Sequence, residues 1–338
     1  MRCITLNPEN LAMTNTTLKK ISEALGLSIS TVSRALKNHP DISEKTKVRV
    51  KELASALDYE PNLNAINLRA SKNNLFGLIV PTISNFFYDS FIASVEEESR
   101  RNNYSLMILQ SGDQAAIELE NLKLCRQSRI AGLFMCISAE TTDLEPFHKF
   151  TNSNVPVIFF DKVPEDKTVN RVCVADTTAA NLAAEAILQS GRKKVLAVFG
   201  PPQLSITKKR LQAFQQALPK KLKTEIRYAA SSDEAASVTA EALSSFRPDM
   251  VFCMSDEILT GCMKAIQIKQ LRIPADIAVI AISNGYIPKL YYPEITYVET
   301  SGYKLGKLAF SSMMACLGGS KFQQELTIES ELVQGGSL

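Results

Sequence analysis

TLKKISEALGLSISTVSRAL, residues 17–36, carries the spacing of two short helices with a tight turn between them. Thr17 is an N-cap type, and Leu18, Ile21, Ala24 and Leu25 follow at i, i+3, i+6 and i+7 as one buried stripe. Gly26 suits the left-handed backbone that ends a helix, and Leu27 can plug the gap behind it. Ser28 caps the second helix, which turns Val32, Ala35 and Leu36 inward and leaves Ile29, Ser30, Ser33 and Arg34 outward. Two helices so joined make a helix-turn-helix. A third helix is predicted after Pro40, capped by Ser43, with Val48, Leu53, Ala54 and Leu57 facing the first two.

Outward residues near the start of the second helix are those that such a motif inserts into a major groove. Arg34 can make a bidentate pair with guanine, and Ile29 can contact a thymine methyl. Charge agrees in sign. Residues 1–75 hold 11 Lys+Arg against 7 Asp+Glu, whereas the remainder holds 27 against 28, so the basic excess lies with the candidate DNA-binding segment.

From Phe76 onward the pattern changes. Apolar runs of strand length (FGLIVP, SLMILQ, GLFMCI, PVIFFD, RVCVAD, KVLAVFG, DMVFCM, IAVIAIS) recur with helical stretches such as residues 179–189 between most of them. Near-continuous apolar strands alternating with helices imply parallel sheets covered on both faces, and eight of them suit two sheets better than one. Ligands of open α/β sheets bind beyond the carboxyl ends of the strands. Asp161, Asp176, Asp256 and Asn284 fall at such ends, and Arg210 sits near the start of the helix after KVLAVFG. One arginine among carboxylates and an amide suits a hydroxyl-rich ligand, because each charged group can bridge neighbouring hydroxyls.

Residues 18–36, with ISEKTKVRVKELASALDYEPN and LNAINLRASKNNLFGLIVP after them, closely resemble the lac/gal repressor family of bacterial transcription regulators. TVSRAL, SEKT, Tyr59, Pro61 and Asn62 at these spacings carry the match, which continues more weakly to the C-terminus. The resemblance implies an N-terminal all-α helix-turn-helix domain plus an α/β core of two Rossmann-like lobes, like periplasmic sugar-binding proteins. It implies a homodimer on a pseudo-palindromic double-stranded operator, gated by a small effector, a sugar or sugar derivative. Ile29, Ser30 and Arg34 would read bases, with Thr17, Ser28, Thr31 and Ser33 completing the DNA-binding set. Residues 62–69 would form a hinge helix with Asn62, Ala65 and a wedging Leu68 in the minor groove. Phe87 and Tyr88 align with an aromatic pair that can stack on the effector, Arg210 with the arginine of an RxxGF-like motif, and Asp256 with the aspartate of an ND motif. Phe86, Thr177, Ser283 and Asn284 depart from the family pattern, so the effector's identity does not transfer.

The expected domains are an extension over 1–15, disordered or preceding a true start at Met13, the helix-turn-helix over 16–60, hinge and linker over 61–74, and the two-lobed effector-binding and dimerisation domain over 75–338. The first lobe is expected over about 76–171 plus 303–317, and the second over the rest. A composition of 45% hydrophobic and 22% charged residues is that of a globular chain. Seven scattered cysteines without a CxxC pair, two histidines without a partner ligand at i+3 or i+4, and no apolar run of membrane-spanning length predict a cytoplasmic protein with no metal and no cofactor. GxSxG, P-loop and GxGxxG motifs are missing, which argues against an enzyme. Two other functions stay compatible with the residues: a sugar-binding module whose N-terminal helices dock a protein, and an enzyme using Asp161 and Asp256 as an acid and base pair.

Overall fold

A computed structural model describes residues 17–59, 73–166, 168–320 and 325–338. The predicted extension and the hinge residues Asn62, Ala65 and Leu68 lie outside the described residues. The chain divides into two compact units, residues 1–72 and 73–338.

In the first unit α1 (Leu18–Leu25), α2 (Ile29–Leu36) and α3 (Glu44–Ala56) close on a small core of Ile21, Val32, Ala35, Val50 and Ala54. Each helix begins on a side-chain cap: Thr17, Ser28 and Ser43 accept from the amides of Lys20, Thr31 and Thr46. Gly26 ends α1 at φ 65°, where a side chain would strain the backbone. Leu27 packs against the core, as the turn requires.

The phase of α3 differs from the expected one. With Glu44 as first residue the inward row runs through Lys47, Val50 and Ala54, leaving Val48 51% exposed and Leu57 exposed as well. Lys47 can occupy that row because its stem packs while its ammonium meets Glu44 at 2.7 Å. Ala24 on α1 is likewise exposed, and Ser22 is buried in its place, its hydroxyl donating to the Lys19 carbonyl at 2.8 Å.

The second unit holds two six-stranded sheets of matching order. In the first, β1 (Leu75–Val80) lies between β2 (Ser105–Gln110) and β3 (Gly132–Met135), followed outward by β4 (Val157–Phe160), β5 (Asn170–Val174) and β11 (Glu325–Ile328). In the second, β6 (Lys194–Phe199) lies between β7 (Lys223–Tyr228) and β8 (Met250–Cys253), followed by β9 (Ala278–Ser283), β10 (Thr296–Glu299) and β12 (Glu331–Val333). All neighbours are parallel except β10 and β12. The helices joining these strands are α4 (Phe86–Arg101), α5 (Ala115–Gln127), α6 (Glu145–Thr151), α7 (Asp176–Gln189), α8 (Ser205–Ala217), α9 (Ser232–Ser245), α10 (Asp256–Ile268) and α11 (Gly302–Leu317).

The chain passes between the sheets three times, after β5, after β10 and after β11. One segment departs from the expected lobe assignment. Residues 325–328 extend the first sheet rather than the second, because Leu326 and Ile328 pack on the first lobe's core and Glu325 pairs with Arg171 of β5 at 2.9 Å. Strands β7, β10, β11 and β12 were not anticipated: KTEIRY is an edge strand whose polar residues break the apolar run, and the other three are only three or four residues long.

Glycines let α11 approach α4 closely. A Cβ on Gly306 would stand 2.7 Å from the Ser94 Cβ and 2.8 Å from the Phe91 carbonyl oxygen. Gly306→Ala gains about 1 kcal/mol of helix propensity but must displace a backbone carbonyl, and overpacking typically costs about 1–3 kcal/mol. The net expectation is a lower urea midpoint at unchanged slope, and a midpoint at or above that of the unaltered chain would contradict this packing.

Candidate functional site

The outer side of α2 is built from its cap. Ser28 accepts from the Thr31 amide at 3.1 Å, and its hydroxyl is hydrogen-bonded to those of Ser30 and Thr31, each at 2.8 Å. The helix start therefore presents a short row of hydroxyls and no carboxylate. Ile29 is 40% exposed and Ser30 is exposed, while Thr31 and Ser33 are half-buried. Arg34 is exposed and 3.8 Å from Asp41. Such a surface pair contributes about 0–1 kcal/mol, so the guanidinium is easily re-aimed. Thr17 caps α1 rather than standing on the α2 face.

A cleft of about 410 Å³ lies at the carboxyl ends of both sheets, with residues of both lobes in its walls. Of the seven effector-site candidates, Phe87, Tyr88, Asp161, Arg210 and Asp256 line it, and Asp176 and Asn284 stand behind them. Asn85, Asp113, Lys162, Ser255 and Glu257 also line it and were not singled out from sequence. Lys162 and Glu257 each follow a strand-end aspartate that was, Ser255 directly precedes Asp256, and Asn85 lies two residues before Phe87.

On the first lobe, Asn85 caps α4 by accepting from the Phe87 and Tyr88 amides. The buried Tyr88 hydroxyl donates to Asp161 Oδ2 at 2.7 Å. Burial, then the Asp161 charge, pushes the Tyr88 phenol well above its ordinary value, so it remains a donor. On the second lobe, Arg210 Nε donates to Asp176 Oδ1 at 2.8 Å and Nη1 to the Met254 carbonyl at 2.8 Å. Asp176 thus serves Arg210 from behind. Burial nevertheless lifts the Asp176 carboxyl above the ordinary range, the neighbouring guanidinium offsetting only part of the desolvation. Asp256 is held by the Ser283 hydroxyl at Oδ1 and by the Asn284 amide at Oδ2, the latter at 2.9 Å. Its carboxyl too is raised by burial.

The Asn284 side chain faces the other lobe. Its Nδ2 donates to the Phe86 carbonyl at 2.9 Å, and its Oδ1 accepts from Ser90 Oγ and from the Gly302 amide, each at 3.4 Å. Beside it the Phe86 and Tyr286 rings stack with centroids 4.9 Å apart. Asn284, placed among effector residues from sequence, is therefore the centre of an interlobe clasp whose backbone holds the cleft carboxylate Asp256.

Two outcomes follow from this geometry. Asn284→Ala removes three side-chain bonds worth about 0.5–1.5 kcal/mol each; amide hydrogen exchange at residues 284–286 and 302 should accelerate about tenfold or more, with the β9 interior unchanged. Equal protection at residue 302 would deny the clasp. For Asp256, a folded value above the unfolded one means that its contribution to stability is full below the unfolded value and is lost as pH rises through the folded value. The stability of the unaltered chain relative to Asp256→Asn should accordingly fall as pH rises through and above the ordinary aspartate range, measured by denaturant titration at several pH values; a difference that grew with pH would reverse the assignment.

Among the described residues no helix is long and apolar enough to cross a membrane. A family model for bacterial regulatory proteins of the lacI family matches residues 17–62, and one for periplasmic binding proteins and the sugar binding domain of the LacI family matches residues 73–331. The chain is 22% identical over 329 residues to the HTH-type transcriptional regulator DegA of Bacillus subtilis, covering 94% of this chain and 96% of that one. It is 25% identical over 297 residues to the ribose operon repressor of Halalkalibacterium halodurans, covering 87% and 88%. The lac repressor dimer bound to operator and the anti-inducer ONPF shares the fold at a TM-score of 0.85 and 20% identity, covering 96% of this chain and 99% of that one. With both of its units matched, the chain belongs to the lacI family of bacterial regulatory proteins, transcriptional regulators that join a helix-turn-helix DNA-binding domain to a periplasmic-binding-like ligand domain.

Proposed function

We propose that this regulator represses transcription as a cytoplasmic homodimer, with α2 of each copy in the major groove of a pseudo-palindromic operator and a small polyhydroxylated effector in the cleft. The observation that carries the reading is the two-sided character of α2. Val32 and Ala35 are fully buried while Ile29, Ser30 and Arg34 face solvent on the same eight-residue helix. Ile29 and Arg34 contact base edges, and Ser30 and Ser33 reach bases or phosphates. Thr17, Ser28 and Thr31 fix the helix starts beside the backbone, and Asn62, Ala65 and Leu68 act in the minor groove between the two copies.

In the cleft, Phe87 supplies an apolar ring face, and Asp161, Arg210 and Asp256 take hydroxyls from opposite lobes. Asp176 and Asn284 act indirectly, the first through Arg210 and the second through Asp256. The similarity to a ribose operon repressor favours a carbohydrate-linked operon. Ligand binding rather than turnover suits the carboxylates, because the oxygens of Asp256 and one oxygen of Asp161 are engaged in holding the protein itself.

Selection from random duplexes, repeated over a range of salt, should yield one pseudo-palindromic sequence. Arg34→Ala should weaken specific binding by about 1–3 kcal/mol, relax selection at one base pair of each half-site, and leave effector-induced thermal stabilisation unchanged. Retention of full selectivity by the Arg34 variant would remove α2 from the role of reader.

A further inference from the structure

The charges in the cleft are unevenly neutralised, and this deepens the reading above, on which it rests. Lys162 Nζ is hydrogen-bonded to both oxygens of Asp113, at 2.7 and 2.6 Å. Arg210 is paired with Asp176 and is only 5% exposed. Both cations that line the cleft are therefore answered by a carboxylate of the protein. The carboxylates of Asp161 and Asp256 form no ion pair: their close partners are a phenol, a hydroxyl and a backbone amide, and Lys162 and Arg210 act on them only through space. Glu257 accepts from the Ser232 amide. Among the described lining residues, four carboxylates stand against two cations.

We propose that the effector is a polyhydroxylated molecule that is uncharged or carries an amine, and that phosphorylated sugars and sugar acids are excluded. A hydroxyl can donate to Asp161 or Asp256 and accept from Arg210 Nη2, the guanidinium nitrogen not used in the bonds to Asp176 and Met254. An ammonium gains from either carboxylate. A phosphomonoester brings about −1.5 to −2 charges to a surface with no free counter-charge, and Coulomb repulsion in a partly dehydrated cleft is several times that in water.

One feature favours an anion. The start of α8 has no side-chain cap, and Leu204 and Ile206 beside it line the cleft. A helix N-terminus offers about half a positive charge, which two unanswered carboxylates outweigh. Its amides serve equally as donors to the ring or hydroxyl oxygens of a neutral ligand.

The test uses the purified full chain and matched sets built on glucose, galactose and ribose: the neutral sugar, the amino sugar, the phosphate ester and the acid. Binding is measured by calorimetry and thermal shift. In the set that binds, the neutral or amino member should bind at least about tenfold more tightly than the phosphate or acid, equivalent to about 1.4 kcal/mol. Asp256→Asn should abolish most of that binding, and Asp113→Asn, which leaves Lys162 without its partner, should narrow the discrimination against the phosphate. A phosphate or acid bound as tightly as its neutral counterpart and lost in Asp256→Asn would overturn the charge proposal and leave the cleft as the effector site. Binding that is indifferent to both Asp161→Asn and Asp256→Asn would overturn the cleft reading itself. A panel without any response would overturn both.

Discussion

The Arg210 guanidinium joins three parts of the second unit that also share one hydrophobic core. Nε reaches Asp176 where the chain has just crossed between lobes, Nη1 reaches the Met254 carbonyl at the end of β8, and the side chain springs from α8. The pair is almost wholly shielded from water. Desolvating two charges offsets much of their attraction, so the pair is better understood as fixing geometry than as adding net stability. Its geometric effect is large, because removing either partner leaves an uncompensated buried charge. The second-lobe wall of the cleft is set by this constraint, and the orientation of Arg210 Nη2 follows from it.

The Asp256 part of the same wall obeys a different logic. Asp256 is held by neutral donors, and one of them, the Asn284 amide, belongs to the residue whose side chain crosses to the first lobe. A ligand that engages Asp256 must therefore alter the environment of the same two-residue segment, Ser283 and Asn284, that joins β9 to the α4 and α11 starts. Close approach there is permitted by Gly302, where a Cβ would stand 2.3 Å from the Phe87 carbonyl oxygen. Asp256 and the lobe contact thus share the residue Asn284, which is a stronger basis for coupling than mere proximity.

Much of this was legible in the sequence where local chemistry determines local structure. Thr17, Ser28 and Ser43 cap the helices they were expected to cap, Gly26 takes the left-handed turn, and all eight apolar runs are strands. Legibility failed where long-range contacts decide. Val48 and Val50 are equally apolar, and only the position of the other two helices selects Val50 for the core. Strands β10, β11 and β12 exist because partners in other parts of the chain pair with them, not because their own residues demand it. In the cleft, strand-end position alone does not distinguish a lining residue from one that stands behind it, and so Asp176 and Asn284 were grouped with Asp161 and Asp256. Of the departures from the family pattern, Phe86 and Asn284 meet at the clasp, and Ser283 holds Asp256 beside it.

Energy scale ties these elements to regulation. Switching an operator-bound regulator takes a coupling of about 1–3 kcal/mol between its two sites. The clasp contains three side-chain hydrogen bonds from Asn284 and one exposed aromatic stack, each individually on the order of 0.5–1.5 kcal/mol. Forming or breaking part of this set is enough to shift the balance between two lobe arrangements, whereas the buried Arg210 pair, at about 3–5 kcal/mol when broken, is too costly to serve as the moving part. The physical division is therefore between a buried charged pair that stays fixed and a half-exposed neutral clasp that can yield, with Asp256 bonded to the clasp residue Asn284.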